Sequence, residues 1–178
     1  MSDICPNLLN AFNCSDTKKK AELTRALFKG VNDGQYSCVF PCFFPDRPGR
    51  PNKPKLLAPK HVPRRRISNG RTGRVALLHA IAHIELNAID LALDMAGRYA
   101  AYGLPFDFVR DWLLVANDEA KHFMLLSERL ESLDSFYGLC LHMTACGKPL
   151  WPHATIWQAD WQSPRLCWKH EDWMLPRN

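Results

Sequence analysis

Two glutamates and one histidine occupy positions where the helical pattern of this 178-residue chain otherwise has apolar residues. Residues 77–99 read LLHAIAHIELNAIDLALDMAGRY, contain no proline, and predict one long helix. The residue at position 85 completes a three-and-four spacing, but it is a glutamate. The other members of that stripe are apolar or small: Leu78, Ile81, Ala88, Ala92, Met95 and Tyr99. A carboxylate in a buried stripe is costly unless it is paired, protonated or bound to a metal.

A second predicted helix repeats the anomaly. Its apolar stripe has two polar positions, Glu119 and His122, between Val115 and Leu126, and the whole apolar set is Phe108, Trp112, Val115, Leu126 and Leu133. The sequence E-x-x-H places the two polar side chains on one face of the helix. Together with Glu85 they form half of the inward-pointing ligand set of a carboxylate-bridged di-iron bundle. We therefore predict iron ligation by Glu85, Glu119 and His122; manganese or zinc would satisfy the same residues.

Each signal alone has an ordinary explanation. A single glutamate in a helical stripe usually reaches solvent, or shows that the stripe is drawn one residue away from the true one. An isolated E-x-x-H is more often a surface pair than a ligand pair. Their coincidence in register on two adjacent helices favours the metal site. We read Asp90, Asp94 and Asp118 as charges on the helix surface or close to the ligands.

The two long helices should lie side by side. The first is predicted to begin within residues 70–74 and to end near Tyr102, and the second to run from about Phe106 to Leu133. The short connection 103–105, Gly-Leu-Pro, predicts antiparallel neighbours.

The N-terminal region is predicted to be simpler. Residues 3–15 form a short helix or turn, and Asp16 caps a helix from Thr17 to Gly30, where Gly30 is the C-cap. The apolar face of this helix is predicted to be Leu23, Ala26 and Leu27. Residues 31–63 are rich in proline and glycine and predict an extended wrap over the surface.

Composition indicates one domain with a modest core. The hydrophobic fraction is 47% and the formal net charge is +5. No run of 18 apolar residues predicts a transmembrane helix, and the N-terminus lacks the pattern of a signal peptide, so we expect a cytoplasmic protein with no membrane partner. Among the seven cysteines, Cys38 and Cys42 have no second pair with zinc-finger spacing and are expected to be reduced thiols.

A basic segment supports an alternative function without chemistry. Its members lie between residues 64 and 74: Arg64, Arg65, Arg66, Arg71 and Arg74. They could dock to RNA phosphates or to an acidic partner. Aromatic residues are not interleaved with them, so a solvated basic loop is favoured over nucleic-acid binding.

Three segments of the chain resemble a known family. LLHAIAHIELNAIDLALDMA, DWLLVANDEAKHFMLLSERLESLDSFYG and PGRPNKPKL are similar to the ferritin-like family designated domain of unknown function 455, over residues 18–138. The resemblance implies a ferritin-like four-helix bundle, with relatives that include di-iron hydroxylases and other oxygen-activating enzymes. It assigns ligand roles to Glu85, Glu119 and His122. His83, beside Glu85, is a candidate extra ligand or a hydrogen-bond partner of a ligand.

The resemblance stops after Gly138. The family would continue with segments similar to PAHDGLWE and LEARGLD and with a second E-x-x-H, but residues 139–178 show no helical or strand period. Five of the six tryptophans and three of the seven cysteines fall there. A one-base shift of the codons for residues 168–175 is compatible with E-A-R-G-L-D-V. We therefore interpret residues 139–178 as an out-of-frame tail.

These inferences give one expected architecture. The chain is predicted to be all-α, half of a ferritin-like four-helix bundle, with an N-terminal helix and wrap (1–63), a helix pair (64–138) and an irregular tail (139–178). The complete form is expected to be a non-haem di-iron oxidoreductase, such as an oxygen-dependent hydroxylase. This chain is expected to be incomplete and inactive. Because two helices with exposed stripes need partners, a homodimer is one expected form.

Overall fold

Four helices dominate the protein in a computed structural model that describes residues 2–38, 43–57, 70–98, 104–139 and 142–144. The helices are α1 (Cys5–Asn13), α2 (Thr17–Asn32), α3 (Arg71–Arg98) and α4 (Phe106–Glu131). Short strands accompany them: β1 (Ser2–Asp3), β2 (Tyr36–Cys38), β3 (Lys55–Leu57) and β4 (His142–Thr144). The predicted all-α class is confirmed, because each strand has only two or three residues.

The two long helices run antiparallel, as predicted. Arg71, at the first turn of α3, donates to the Leu133 carbonyl and pairs with the Asp134 carboxylate just beyond the end of α4. Near the middle of both helices, Glu85 lies beside His122. Because the start of α3 contacts the end of α4 and the middles of the two helices also touch, the helices must run in opposite directions.

The buried stripes lie one residue away from the predicted ones. The fully buried apolar residues of α3 and α4 are Ala82, Leu86, Ile89, Ala92, Leu93, Ala96, Val109, Leu113, Ala116, Ala120, Phe123 and Leu130. Of the predicted stripes, Ala92 alone is among them. The predicted stripes are instead half-buried over much of their length, and Val115 is 42% exposed. Tyr99 lies outside the described residues. Both helices have apolar residues on two adjacent faces, and the described chain covers only one face, so helical period alone did not identify it.

Helix α2 begins as predicted and ends later. The Asp16 carboxylate accepts the Lys19 amide at 2.9 Å, which satisfies one donor of the first turn. Gly30 is not the C-cap, because the helix continues to Asn32 and is closed by Asp33. The following residue, Gly34, has φ +70°, a backbone conformation that glycine adopts without strain.

The buried face of α2 also differs from the prediction. Of the predicted face, Leu27 is buried, Leu23 is half-buried and Ala26 is exposed. The buried set is polar at two positions: Lys20, Ala21, Thr24, Leu27, Gly30 and Val31. Lys20 is only 1% exposed, because its ammonium group has partners inside the protein. Because lysine was not considered as a core residue, the buried face of α2 was predicted at the wrong positions.

The segment predicted to be an extended wrap, residues 31–63, is described at 31–38 and 43–57. Its first two residues are the end of α2, and the rest of the described part contains no helix, only a turn at 33–34, the strands β2 and β3, and bends at 46–47, 52 and 54. Phe44 is buried and packs on Phe12, with ring centroids 4.6 Å apart, and against Gly97 of α3. Strand β3 of this segment pairs in parallel with β4. Three residues of the predicted irregular tail therefore have regular backbone pairing, and its remainder after Thr144 lies outside the described residues.

Two further features bear on the expected environment. Helix α3 is long and apolar enough to cross a membrane by length and composition, with a mean hydropathy of 1.4 over 18 residues, a test that core helices of soluble proteins also pass. This helix contains two buried aspartates, Asp90 and Asp94. Asp90 pairs with Lys20 of α2, and Asp94 pairs with Arg98 one turn later. Cys5 is disulfide-bonded, and Cys14 is a free thiol. The side chains of Cys38 and Cys42 lie outside the described residues.

Candidate metal centre

Three predicted ligands converge between the two long helices. One ligand atom each from Glu85, Glu119 and His122 lies within 4.8 Å of the others. His122 Nδ1 is 3.2 Å from Glu119 Oε2 and 3.7 Å from Glu85 Oε2. The helix spacing of three residues brings Glu119 and His122 together, and the antiparallel packing of α3 and α4 brings Glu85 to them. Two oxygen donors and one nitrogen donor therefore face a common point.

The site is partly open to solvent. The side chains of Glu85 and Glu119 are 18% and 25% exposed, whereas that of His122 is 55% exposed. The pKa of Glu85 is raised from 4.5 to about 7, first by burial and then by the neighbouring Glu119 carboxylate, while His122 opposes the shift. A carboxylate that is disfavoured beside another carboxylate is stabilised by a cation placed between them.

His83 does not share the face of Glu85. Two residues along an α-helix correspond to a rotation of about 200°. His83 is 2% exposed, and its Nδ1 lies 2.7 Å from the Tyr137 hydroxyl. The structure thus places His83 beside Tyr137, on the side of α3 away from Glu85.

Tyr137 joins two histidines of α3. Its ring stacks on that of His79, with centroids 4.9 Å apart, and the next residue, Gly138, donates its amide to His79 Nε2 at 2.8 Å. Burial raises the pKa of Tyr137, so its hydroxyl stays protonated. These contacts fasten the segment after α4 to the first half of α3 and so fix the relative position of the helices that hold the site.

A buried ion pair, missed from the sequence, ties four segments together. The Lys20 ammonium donates to the carbonyls of Phe12 (3.2 Å) and Gly49 (2.8 Å) and pairs with the Asp90 carboxylate. Arg50 Nη2 lies 2.9 Å from the second oxygen of Asp90. Burial lowers the pKa of Lys20 and raises that of Asp90, and their mutual attraction opposes both shifts. Helix α1, α2, the proline-rich segment and α3 meet at this one cation.

The surface interpretation of two aspartates is wrong, and that of the third is confirmed. Asp90 is 2% exposed and Asp94 is 7% exposed, because each has a cation beside it that compensates for lost hydration. Arg98 Nη2 donates to Asp94 at 2.7 Å and to the Pro45 carbonyl at 2.9 Å. Asp118 pairs with Lys121 on the helix surface. The burial of these two aspartates could have been inferred from the sequence, because Asp90 and Asp94 continue the helical spacing of the buried Leu86.

Of the five arginines of the basic segment, the structure describes Arg71 and Arg74. Arg71 contacts Leu133 and Asp134, as described above, and Arg74 is exposed on the first turns of α3. Arg64, Arg65 and Arg66 lie outside the described residues.

Comparisons with known proteins assign the family. A family model described as "Protein of unknown function (DUF455)" matches residues 13–163. An uncharacterized protein of Haemophilus influenzae is 48% identical over 93 residues, which cover 49% of this chain and 32% of that protein. The chain thus spans about a third of the length of this relative. No solved structure matches the chain significantly. Because the family model matches most of its length, this chain belongs to the protein family of unknown function designated DUF455.

Proposed function

We propose that this chain binds iron through Glu85, Glu119 and His122 and forms one half of a ferritin-like di-iron carboxylate centre. The supporting observation is the convergence of three ligand atoms from two helices within 4.8 Å. Two carboxylates and an imidazole are a donor set that suits ferrous iron, and also manganese or zinc. In this proposal Glu85, Glu119 and His122 would hold the metal: Glu85 as a ligand of one ion, Glu119 as a carboxylate available to two ions, and His122 through one ring nitrogen.

The geometry of the side chains supports this assignment over a chance surface cluster. Glu85 is mostly buried, yet its nearest charged neighbours include a second carboxylate, so the group is poorly stabilised without a cation. Glu119 and His122 are held by successive turns of α4, and thus need little rearrangement to bind. The exposed His122 ring leaves a solvent path to the cluster.

The role of these residues in a complete protein follows from their chemistry. Ferrous iron held by such ligands supplies electrons for the reduction of dioxygen, as an oxygen-dependent oxidoreductase or hydroxylase requires. The carboxylates would fix the metal and neutralise its charge, and the imidazole would complete its protein ligands. The described residues of one chain place three ligands at this point, so we propose binding without turnover for a single chain.

Metal analysis of the full chain tests the proposal. The protein is stripped with a chelator, loaded anaerobically with Fe(II), separated from free metal, and analysed for iron per chain. We expect about one iron per chain, half of a two-metal centre. Parallel loading with Mn(II) or Zn(II) shows which metal the site prefers.

Matched variants assign the iron to the cluster. Glu85→Gln and Glu119→Gln should lose most of the iron while retaining helix content by circular dichroism. Glu128→Gln removes an exposed carboxylate of the same helix and should retain the iron. Equal iron in all variants would refute the ligand roles. A metal-free chain that binds RNA or an acidic protein would favour the alternative function of a binding module that uses residues 64–74.

A further inference from the structure

A second apolar stripe on α3 lies beside Glu85 and is not buried by the residues that the structure describes. Leu77 is 61% exposed and Ile84 is 40% exposed, and the other members are half-buried. The complete set is Leu77, Ile81, Ile84, Ala88, Leu91 and Met95. This stripe, here called the outer stripe, is unbroken over about 27 Å of helix. Val115 and Leu125 add exposed apolar surface on α4.

The outer stripe has a symmetry that a single helix does not need. Its spacing is four, three, four, three, four, which reads the same in both directions. Two antiparallel copies can therefore align with every member opposite another member. In that register Leu77 faces the partner's Met95, Ile81 faces the partner's Leu91, and Ile84 faces the partner's Ala88. A contact in which residue i meets j while j meets i is what a two-fold dimer requires.

The centre of this register falls next to the metal ligands. The two-fold axis crosses the outer stripe midway between Ile84 and Ala88, one residue from Glu85. The two copies of Glu85 are then separated by about 3 Å along the helix direction. Since Glu119 and His122 lie against Glu85 in each copy, both half-sites approach the same axis.

We infer that the outer stripe is the contact surface for a second copy of this chain, which supplies the other half of the metal site. This inference rests on the proposed function for the metal and on the stripe for the dimer. Each subunit contributes two carboxylates and one imidazole, so the pair provides four carboxylates and two imidazoles. That is the ligand count of a complete two-metal carboxylate site.

Sedimentation and metal analysis of the full chain test the inference together. We expect a dimer across a dilution series, with two metal ions per dimer after loading with Fe(II). Ile84→Glu places a charge at the centre of the outer stripe on an already exposed residue. It should halve the sedimenting mass and release most of the metal, although no metal ligand is changed. Phe43→Glu is the control, because Phe43 is 88% exposed and adjoins Phe44, which packs on the opposite side of α3. It should leave mass and metal unchanged.

The possible results distinguish failure of the proposed dimer from failure of the proposed metal site. A wild-type monomer that binds iron overturns the dimer and leaves the proposed function standing. A dimer that Ile84→Glu does not dissociate overturns the assigned surface. A dimer that Ile84→Glu does dissociate, but that takes up no iron, overturns the shared site and the proposed function together.

Discussion

His122 Nδ1 lies 3.7 Å from Glu85 Oε2, although the two residues belong to different helices and neither is in the fully buried core. The contact depends on the antiparallel register of α3 and α4. That register is set at one end by Arg71, which holds the residues after α4, and along the buried face by the interleaved apolar stripes. The site is therefore a consequence of helix packing and does not depend on a loop.

The raised pKa of Glu85 predicts a specific pH dependence of stability without metal. Below pH 4.5 the carboxyl is protonated in both folded and unfolded chains. Between 4.5 and about 7 the unfolded chain ionises while the folded chain retains the proton, so the free energy of unfolding falls as pH rises. Glu85→Gln removes this term. Both proteins are melted in the presence of chelator. The melting temperature of the variant minus that of wild type should be more positive at pH 8 than at pH 4.

Glu128→Gln is the control for that measurement, since Glu128 is exposed on α4 outside the cluster. Its difference from wild type should be similar at the two pH values. An equal difference for Glu85→Gln at both pH values would show that Glu85 ionises normally in the folded chain.

The Lys20–Asp90 pair should behave as a coupled unit. Lys20→Met leaves the buried Asp90 with Arg50 as its remaining cation and should lower the free energy of unfolding by about 3 kcal/mol. Adding Asp90→Leu removes the stranded charge and should recover part of that loss, with a coupling energy of about 1 kcal/mol or more. Urea denaturation of the four proteins of the cycle measures it. Additive losses would show that the two groups do not interact.

Sequence reasoning recovered the helices because their signals are local. The Asp16 cap, the uninterrupted periods of α3 and α4 and Pro105 at the start of α4 all act within a few residues. The three residues proposed as metal ligands were selected for a related reason: polar residues interrupted an otherwise apolar period. In the structure one ligand atom from each lies within 4.8 Å of the others.

The remaining features depend on distant partners. Lys20 is buried because Asp90, seventy residues later, compensates its charge, and no local pattern reports that pairing. The correct core stripe could not be chosen on α3, since two neighbouring faces are both apolar and only packing decides which is covered. Gly30 lies inside α2 and not at its end, and the distant Tyr36 ring accounts for the missing side chain: a Cβ at Gly30 would lie 2.6 Å from that ring.

The contact between Gly97 and Phe44 predicts that the effect of Gly97→Ala on stability depends on the residue at position 44. A Cβ at Gly97 would lie 2.2 Å from Phe44 Cε2. Overpacking costs about 1–3 kcal/mol, whereas alanine gains about 1 kcal/mol over glycine in a helix. Gly97→Ala should therefore destabilise the protein by roughly 1 kcal/mol. In a Phe44→Leu background the same change should be neutral or stabilising. Thermal denaturation of both pairs tests this, and the same loss in both backgrounds would exclude the clash.

X-ray absorption spectroscopy of the Fe(II)-loaded full chain tests the central claim most directly, because it identifies the atoms bound to the metal. Free cysteines such as Cys14 are the main competing ligands. We expect a first shell of oxygen and nitrogen with the outer scattering of an imidazole ring, and loss of that imidazole signal in His122→Ala. A first shell that contains sulfur, or an imidazole signal that persists in His122→Ala, would contradict a metal site at Glu85, Glu119 and His122.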